Sequence, residues 1–271
     1  MSLVNTEWLE AKIDKVKIID SSWHLPQANR DGHSEYKKEH IKNSIFFDIE
    51  KYSKKNIELP HMLVNKNDWE MIVSNMGIKN NDEIVIYDNS DVLSACRCWY
   101  NFIYFGHNPK LVHVLNGGLQ KWKHEKKDIT QNVELIKKTN YFCEENKNLV
   151  KNLKQVRKNV ISENFKIVDA RSRERFEGNA KEPRKGLRSG SIPNSICLPF
   201  RELINENNTF KNNYDIRQIF KEKIKDVEDS NIVFSCGSGV TACVLALAYS
   251  LINVKYMPTI YDGSWAEYGK N

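Results

Sequence analysis

The chain reads as an α/β protein made of two tandem copies of one unit, each a parallel sheet with helices on both faces. Three observations predict this. A chain of 271 residues is long for one hydrophobic core and comfortable for two. Short runs rich in Val, Ile, Phe and Tyr alternate with helical segments, as parallel strands joined by crossover helices do. Four sequence blocks also recur in the same order at a nearly constant spacing, which marks a duplication.

The repeated blocks can be laid side by side. Lys17-Ile18-Ile19-Asp20 returns 149 residues on as Lys166-Ile167-Val168-Asp169. Asn43-Ser44-Ile45 returns 151 residues on as Asn194-Ser195-Ile196. Glu83-Ile84-Val85-Ile86-Tyr87 parallels Asn231-Ile232-Val233-Phe234-Ser235 at 148, and Leu115-Asn116-Gly117-Gly118 parallels Tyr261-Asp262-Gly263-Ser264. The expected division is a first domain over 1–130, a connecting segment rich in Lys, Asn and Glu over 131–158, and a second domain over 159–271.

In chain order, strands are expected over 16–20, 44–48, 83–88 and 112–116 in the first half. Those expected in the second half cover 165–170, 195–200, 231–235 and 257–262. A helix over 67–77 opens on an Asn67–Asp68 cap and stops at Gly77. A strand-like piece covers 139–142, and a helix over 148–159 leads into the second domain. A long apolar run with helical character follows Thr241.

Composition narrows the classes of function. With 40% apolar and 28% charged residues, the chain is that of a water-soluble globular protein, and no run approaches the ~20 apolar residues of a membrane span. The N-terminal stretch lacks the apolar core of a signal peptide and carries acids early, so a cytoplasmic location is expected. Six cysteines in so long a chain are no disulfide framework, and Cys96-Arg97-Cys98 has the wrong spacing for zinc. No metal is expected. The net charge of +6 fits small anionic ligands. Its lysines are scattered among Asn and Glu, and no basic stripe interleaved with aromatics is present, so neither nucleic acid nor membrane is an expected partner.

The stretch that carries chemistry is Asn231 to Leu251. A buried strand ends at Ser235, and Cys236-Gly237-Ser238-Gly239-Val240-Thr241 forms a small-residue turn into an apolar helix. Ligands in parallel sheets bind beyond the carboxyl ends of the strands, where Cys236 falls. Amide N–H groups at a helix start favour negative charge there, and a thiolate is the nucleophilic form of cysteine. The plain alternative is a core cysteine before a core helix. The corresponding turn of the first half, Tyr87 to Ala95, is acid-rich and has no cysteine, so only the second half reads as catalytic.

Three chemistries use a strand-end cysteine. A phosphatase needs an arginine closing the loop six positions after the thiol; Ala242 stands there, and the loop holds no Arg or Lys. A thiol protease needs a histidine base, and all seven histidines lie in the first half, which leaves a cross-domain pair open. Sulfur transfer, with the amides holding a persulfide, remains as well. The segment after the 165–170 strand carries Arg171, Arg173, Arg175, Arg184 and Arg188. Guanidinium forks facing the loop would suit a carboxylated substrate, while surface ion pairs with Glu174, Glu177 and Glu182 are the plainer reading of any one of them. His61, between Pro60 and Met62, reads by itself as a satisfied surface or core histidine. With the first domain packed over the cysteine loop it could polarise Ser238, with Glu50 or Asp48 behind it as an orienting acid.

Taken together, the chain resembles the tandem-domain sulfurtransferases of the rhodanese superfamily, and among them the 3-mercaptopyruvate sulfurtransferases. The resemblance spans nearly the whole chain. It rests on Trp23-His24-Leu25-Pro26, Phe46-Phe47-Asp48-Ile49, Leu59-Pro60-His61-Met62-Leu63, Asn116-Gly117-Gly118-Leu119, Glu182-Pro183-Arg184, Tyr261-Asp262-Gly263-Ser264-Trp265 and, above all, the loop from Cys236 to Ala242. In that superfamily a neutral loop of this composition goes with mercaptopyruvate, and a basic loop with thiosulfate.

The resemblance implies two rhodanese-like domains, the first non-catalytic. It implies that Cys236 takes the sulfane sulfur of 3-mercaptopyruvate as a persulfide, releases pyruvate, and passes sulfur to a small thiol, reduced thioredoxin or cyanide, with no cofactor. Arg175 and Arg184 would hold the substrate carboxylate. Gly237, Gly239, Val240 and Thr241 would line the sulfur. Ser238 and His61 would form a proton relay whose acid is Glu50, one methylene longer than the Asp expected. The alternatives are a thiosulfate:cyanide sulfurtransferase on the same scaffold and a non-catalytic persulfide carrier. Two turns depart from the family: Gly190-Ser191-Ile192-Pro193-Asn194, where Asn replaces Gly, and Glu39-His40-Ile41-Lys42-Asn43, which lacks its proline. Asn tolerates the left-handed conformation such a turn needs.

Overall fold

The computed structural model describes residues 2–228 and 231–270. The chain divides into two compact units. The first comprises Met1–Lys55, Leu63–Asn146 and Glu206–Thr209, and the second Asn56–Met62, Lys147–Asn205 and Phe210–Asn271.

The first unit holds β1 (Leu3–Val4), β2 (Lys17–Asp20), β3 (His40–Ile41), β4 (Ser44–Phe46), β5 (Ile84–Tyr87), β6 (Val112–Leu115) and β7 (Ile129–Thr130). Its main sheet runs β1-β6-β5-β2-β4, all parallel, and β3 pairs antiparallel with β7. The second unit holds β8 (Val150–Lys151), β9 (Lys166–Asp169), β10 (Ile196–Cys197), β11 (Ile232–Ser235) and β12 (Ile260–Tyr261). Its sheet runs β8-β12-β11-β9-β10, again all parallel. Strand for strand, the two orders are the same. The α/β class and the duplication expected from the sequence are therefore both present.

Each sheet is covered on both faces, which is why its strands read as unbroken apolar runs. In the second unit Val233 packs with Val156 and Trp265 on one face. Its neighbour Phe234 meets Phe220 and Tyr249, from helices Asn213–Ile224 and Ala242–Ile252, on the other. In the first unit Ile18, Val85 and Tyr87 pack with Leu119 and Trp122, while Trp69 stacks against Phe105 within a second aromatic group.

The strand registers fix the twin positions. Asp20 pairs with Tyr87 in the first sheet, and Asp169 pairs with Ser235 in the second. The next residues, Asp88 and Cys236, thus hold equivalent places just beyond the sheet. The backbone repeats there too: Leu119 N–H donates to the Asp88 carbonyl and Trp265 N–H to the Cys236 carbonyl, each at 2.9 Å. At the two departing turns, Asn43 and Asn194 adopt φ of +64° and +60°. Their amides donate to the carbonyls of Ile13 and Val160, so Asn supplies both the left-handed turn and an anchor.

Some local expectations need correction. The first helix named above starts at Lys66, capped by Asn65 accepting the Asp68 N–H, because Asn65 is the residue with extended backbone. Residues 139–142 form no strand: the N–H groups of Thr139, Tyr141 and Phe142 go to Ser74 O, Ser74 Oγ and Asn80 Oδ1 instead of a ladder. The later helix is shorter than expected, Leu153–Ser162, because the Asn152/Gln155 capping box fixes its start. The residues before it become edge strand β8.

Candidate active site

Cys236 is the first residue past β11 and only 2% exposed. Its N–H donates to Ser264 Oγ at 3.2 Å, and its carbonyl accepts from Trp265. The Gly237 carbonyl accepts the Ala266 N–H at 2.9 Å. The base of the loop is thus strapped to the start of the short helix Ser264–Tyr268. The loop turns at Gly239, whose φ of +77° is one that side-chain-bearing residues rarely adopt, and the Gly239 carbonyl accepts the Cys243 thiol at 3.2 Å. Among the described residues, the amides of Gly237, Ser238, Val240 and Thr241 donate to no protein group. They precede the eleven-residue helix Ala242–Ile252, so its dipole adds to a field that favours an anionic sulfur.

The first unit builds the same loop and fills it with its own chain. The Asp88 carboxylate accepts the N–H of Ser90 at 3.1 Å and of Ala95 at 2.6 Å. A fixed carboxylate therefore stands at the position of the thiol.

The arginines divide by burial. Arg175 Nη2 and Arg184 Nη1 lie 3.2 and 3.8 Å from where a Cβ on Gly237 would stand, so both guanidiniums cover the cysteine loop. Arg175 also donates to Glu182, from Nη2 at 2.6 Å and Nε at 3.2 Å. Facing the loop and pairing with Glu182 were alternatives on the sequence; Arg175 does both. Arg171 faces no solvent: it grips the Asp169 carboxylate with Nε and Nη2, reaches Glu182 with Nη1 at 2.8 Å, and stacks over Trp265 at 4.4 Å. Burial works against the Arg171 charge, yet Asp169 and Glu182 outweigh it and hold its pKa above the ordinary value. Arg173 pairs with Glu202 at the surface, and Arg188 stacks over Trp265 and Tyr268.

His61 lies in the second unit with its segment, Asn56–Met62. It is buried, with φ of +59°, and its Nδ1 shares a 3.0 Å hydrogen bond with Ser238 Oγ. Ser238 Oγ also accepts from Arg184 Nη2 at 3.4 Å. Glu50 belongs to the first unit, where its carboxylate accepts the Trp23 indole N–H at 2.8 Å. Asp48, the other acid considered, caps a turn by accepting the Lys51 N–H.

Burial pushes other thiols up: Cys98 well above its ordinary value, Cys143 to about 12 and Cys197 to about 11. These three are protonated at neutral pH. None of the six cysteines is in a disulfide, so Cys96 and Cys98 form no bridge.

The positioning roles of Asp169, Glu182, Ser264 and Trp265 were not evident in the sequence. One signal was present: Asp169-Ala170-Arg171 leaves a strand at the same sheet edge as the cysteine loop.

Comparison with known proteins agrees with this architecture. The rhodanese-like domain profile matches residues 5–125 and 152–271. A protein of Arabidopsis thaliana named thiosulfate/3-mercaptopyruvate sulfurtransferase 1, mitochondrial, is 36% identical, covering 98% of this chain and 75% of that protein. A Rattus norvegicus protein named thiosulfate sulfurtransferase is 34% identical, over 98% of this chain and 91% of that one. Among solved structures, SseA from Escherichia coli, described with the rhodanese fold and mechanism of 3-mercaptopyruvate sulfotransferases, superposes with a TM-score of 0.86. It is 31% identical, with 98% of this chain and all of that chain covered.

Proposed function

The chain belongs to the rhodanese family, and from that premise we propose that it is a sulfurtransferase that takes sulfur from 3-mercaptopyruvate on Cys236. The Cys236 thiolate attacks the donor's sulfur. The C–S bond breaks, its electron pair passes to carbon as the enolate of pyruvate, and a proton completes pyruvate. Cys236 is left as a persulfide, held by the amides of Gly237, Ser238, Val240 and Thr241. In the second half-reaction an acceptor thiolate, such as a small thiol or reduced thioredoxin, or cyanide, takes the outer sulfur and frees the Cys236 thiolate. The exchange is balanced without any further oxidant, reductant or cofactor.

The observation that carries the donor assignment is the seating of Arg175 and Arg184 over Gly237, beside a loop with no cation of its own. Two guanidinium forks at that distance suit a carboxylate set apart from the reacting sulfur. Ser238 and His61 supply the proton route. With Arg184 donating to Ser238 Oγ, the hydroxyl proton is directed to His61 Nδ1. Six cysteines without a disulfide fit a reducing compartment, the cytosol in our reading.

The test is a side-by-side measurement of kcat/KM with 3-mercaptopyruvate and thiosulfate, cyanide as acceptor, and pyruvate followed in the first case. A preference for 3-mercaptopyruvate is expected. A preference for thiosulfate would make the chain a thiosulfate:cyanide sulfurtransferase, and no turnover with either would leave a persulfide carrier.

A further inference from the structure

We infer that Glu182, which does not touch the loop, sets the donor charge that the site accepts. This rests on the sulfurtransferase reading above and deepens it. The Glu182 side chain is 2% exposed and receives two guanidiniums, Arg171 on Oε1 and Arg175 on both oxygens. Arg171 is in turn gripped by Asp169, which is 1% exposed. Asp169, Arg171, Glu182 and Arg175 therefore form a linear chain of alternating charge, two negative and two positive, that ends at Arg175.

The consequence concerns Arg175. It offers hydrogen bonds toward Gly237, but its charge is already balanced by a carboxylate that water barely screens. Asp169, Arg171, Glu182 and Arg175 sum to no net charge, so Arg175 brings hydrogen-bond donors over Gly237 with its charge largely offset. That suits a donor with a single carboxylate. Thiosulfate, a dianion, depends more on an uncompensated cation, which Glu182 denies it. Glu182 is thus a positioning residue for Arg175 and, through its charge, a specificity residue for the reaction.

Charge and positioning can be separated with two variants. Glu182→Gln removes the charge and adds one net positive charge to the site. The ratio of kcat/KM for thiosulfate to that for 3-mercaptopyruvate is expected to rise on the order of tenfold, as one added charge near a dianion rather than a monoanion implies. Glu182→Asp keeps the charge and retracts it by one methylene. Both kcat/KM values should fall while their ratio stays within about twofold of the parent. An equal loss for both donors in Glu182→Gln overturns the inference, and so does a Glu182→Asp ratio shifted as far as the Gln variant's. If thermal melting shows Glu182→Gln unfolded, the Asp variant decides alone: an unmoved ratio supports the inference and a shifted one overturns it. The readout is a change in ratio relative to the parent. A parent that itself prefers thiosulfate refutes the donor assignment, and a ratio that Glu182→Gln leaves unmoved refutes this one.

Discussion

Asp88 stands beyond β5 where Cys236 stands beyond β11, and its carboxylate accepts the Ser90 and Ala95 amides in the first unit's version of the loop. A duplicated loop has thus been closed by a residue of its own in one copy and fitted with a thiol in the other. Replacing Asp88 by Ala would strand two amides, each costing about 1–3 kcal/mol when buried and unsatisfied. Unfolding in urea should show a loss of roughly 2–6 kcal/mol, with sulfur loading of the folded protein intact. A stability within experimental error of the parent would contradict the assigned role of the carboxylate.

Arg184→Ala and Arg175→Ala should raise KM for 3-mercaptopyruvate by roughly ten- to a hundredfold, the range for losing a charge-assisted hydrogen bond, with kcat much less affected. Gly237→Ala is the quieter probe. Its new methyl would press on Arg175 Nη2 at 3.2 Å, a guanidinium that Glu182 restrains, so a severalfold rise in KM with little change in melting temperature is expected. Unchanged steady-state kinetics in all three variants would remove the clamp.

Ser238→Ala and His61→Gln each interrupt the 3.0 Å contact between hydroxyl and imidazole. Each should lower kcat for pyruvate release on the order of a hundredfold, the low end for a positioned proton-transfer group. Acting as one relay, the double variant should be no slower than the worse single. Multiplicative losses would show two independent functions instead.

The twin positions Asp169 and Asp20 differ in their partners. Asp169 has Arg171; in the first unit Ser22 holds that place, and burial pushes the Asp20 carboxyl up from 3.8 to about 6. Between those values the native state binds more protons than the unfolded chain, so this contribution to stability is full below pH ~4 and lost as pH rises through ~6. The loss is about 3 kcal/mol from a shift of about two pH units. Subtracting the urea stability of Asp20→Asn from that of the parent should give a curve that falls by about this amount over that window. Parallel curves would place the Asp20 carboxyl in an ordinary environment.

What the sequence showed, and what it hid, follows from burial. Strands β5 and β11 were legible because both their faces are buried, and Cys236 because a glycine-rich turn follows it. The two-residue edge strands β1 and β8 are too short to show a period. Arg171 and Glu182 read as surface charges, since nothing local distinguishes an arginine buried against two carboxylates from a solvated one. His61 was singled out chiefly by resemblance; its left-handed backbone and its seat in the second unit depend on tertiary structure.

The most direct test is a single turnover with 3-mercaptopyruvate and no acceptor, followed by intact-mass and peptide analysis alongside a pyruvate assay. One sulfur atom should be added to the peptide carrying Cys236, with one pyruvate released per chain, and neither should appear in Cys236→Ser. Sulfur found on Cys197 or Cys243, or pyruvate released without sulfur on Cys236, would contradict the assignment of the nucleophile.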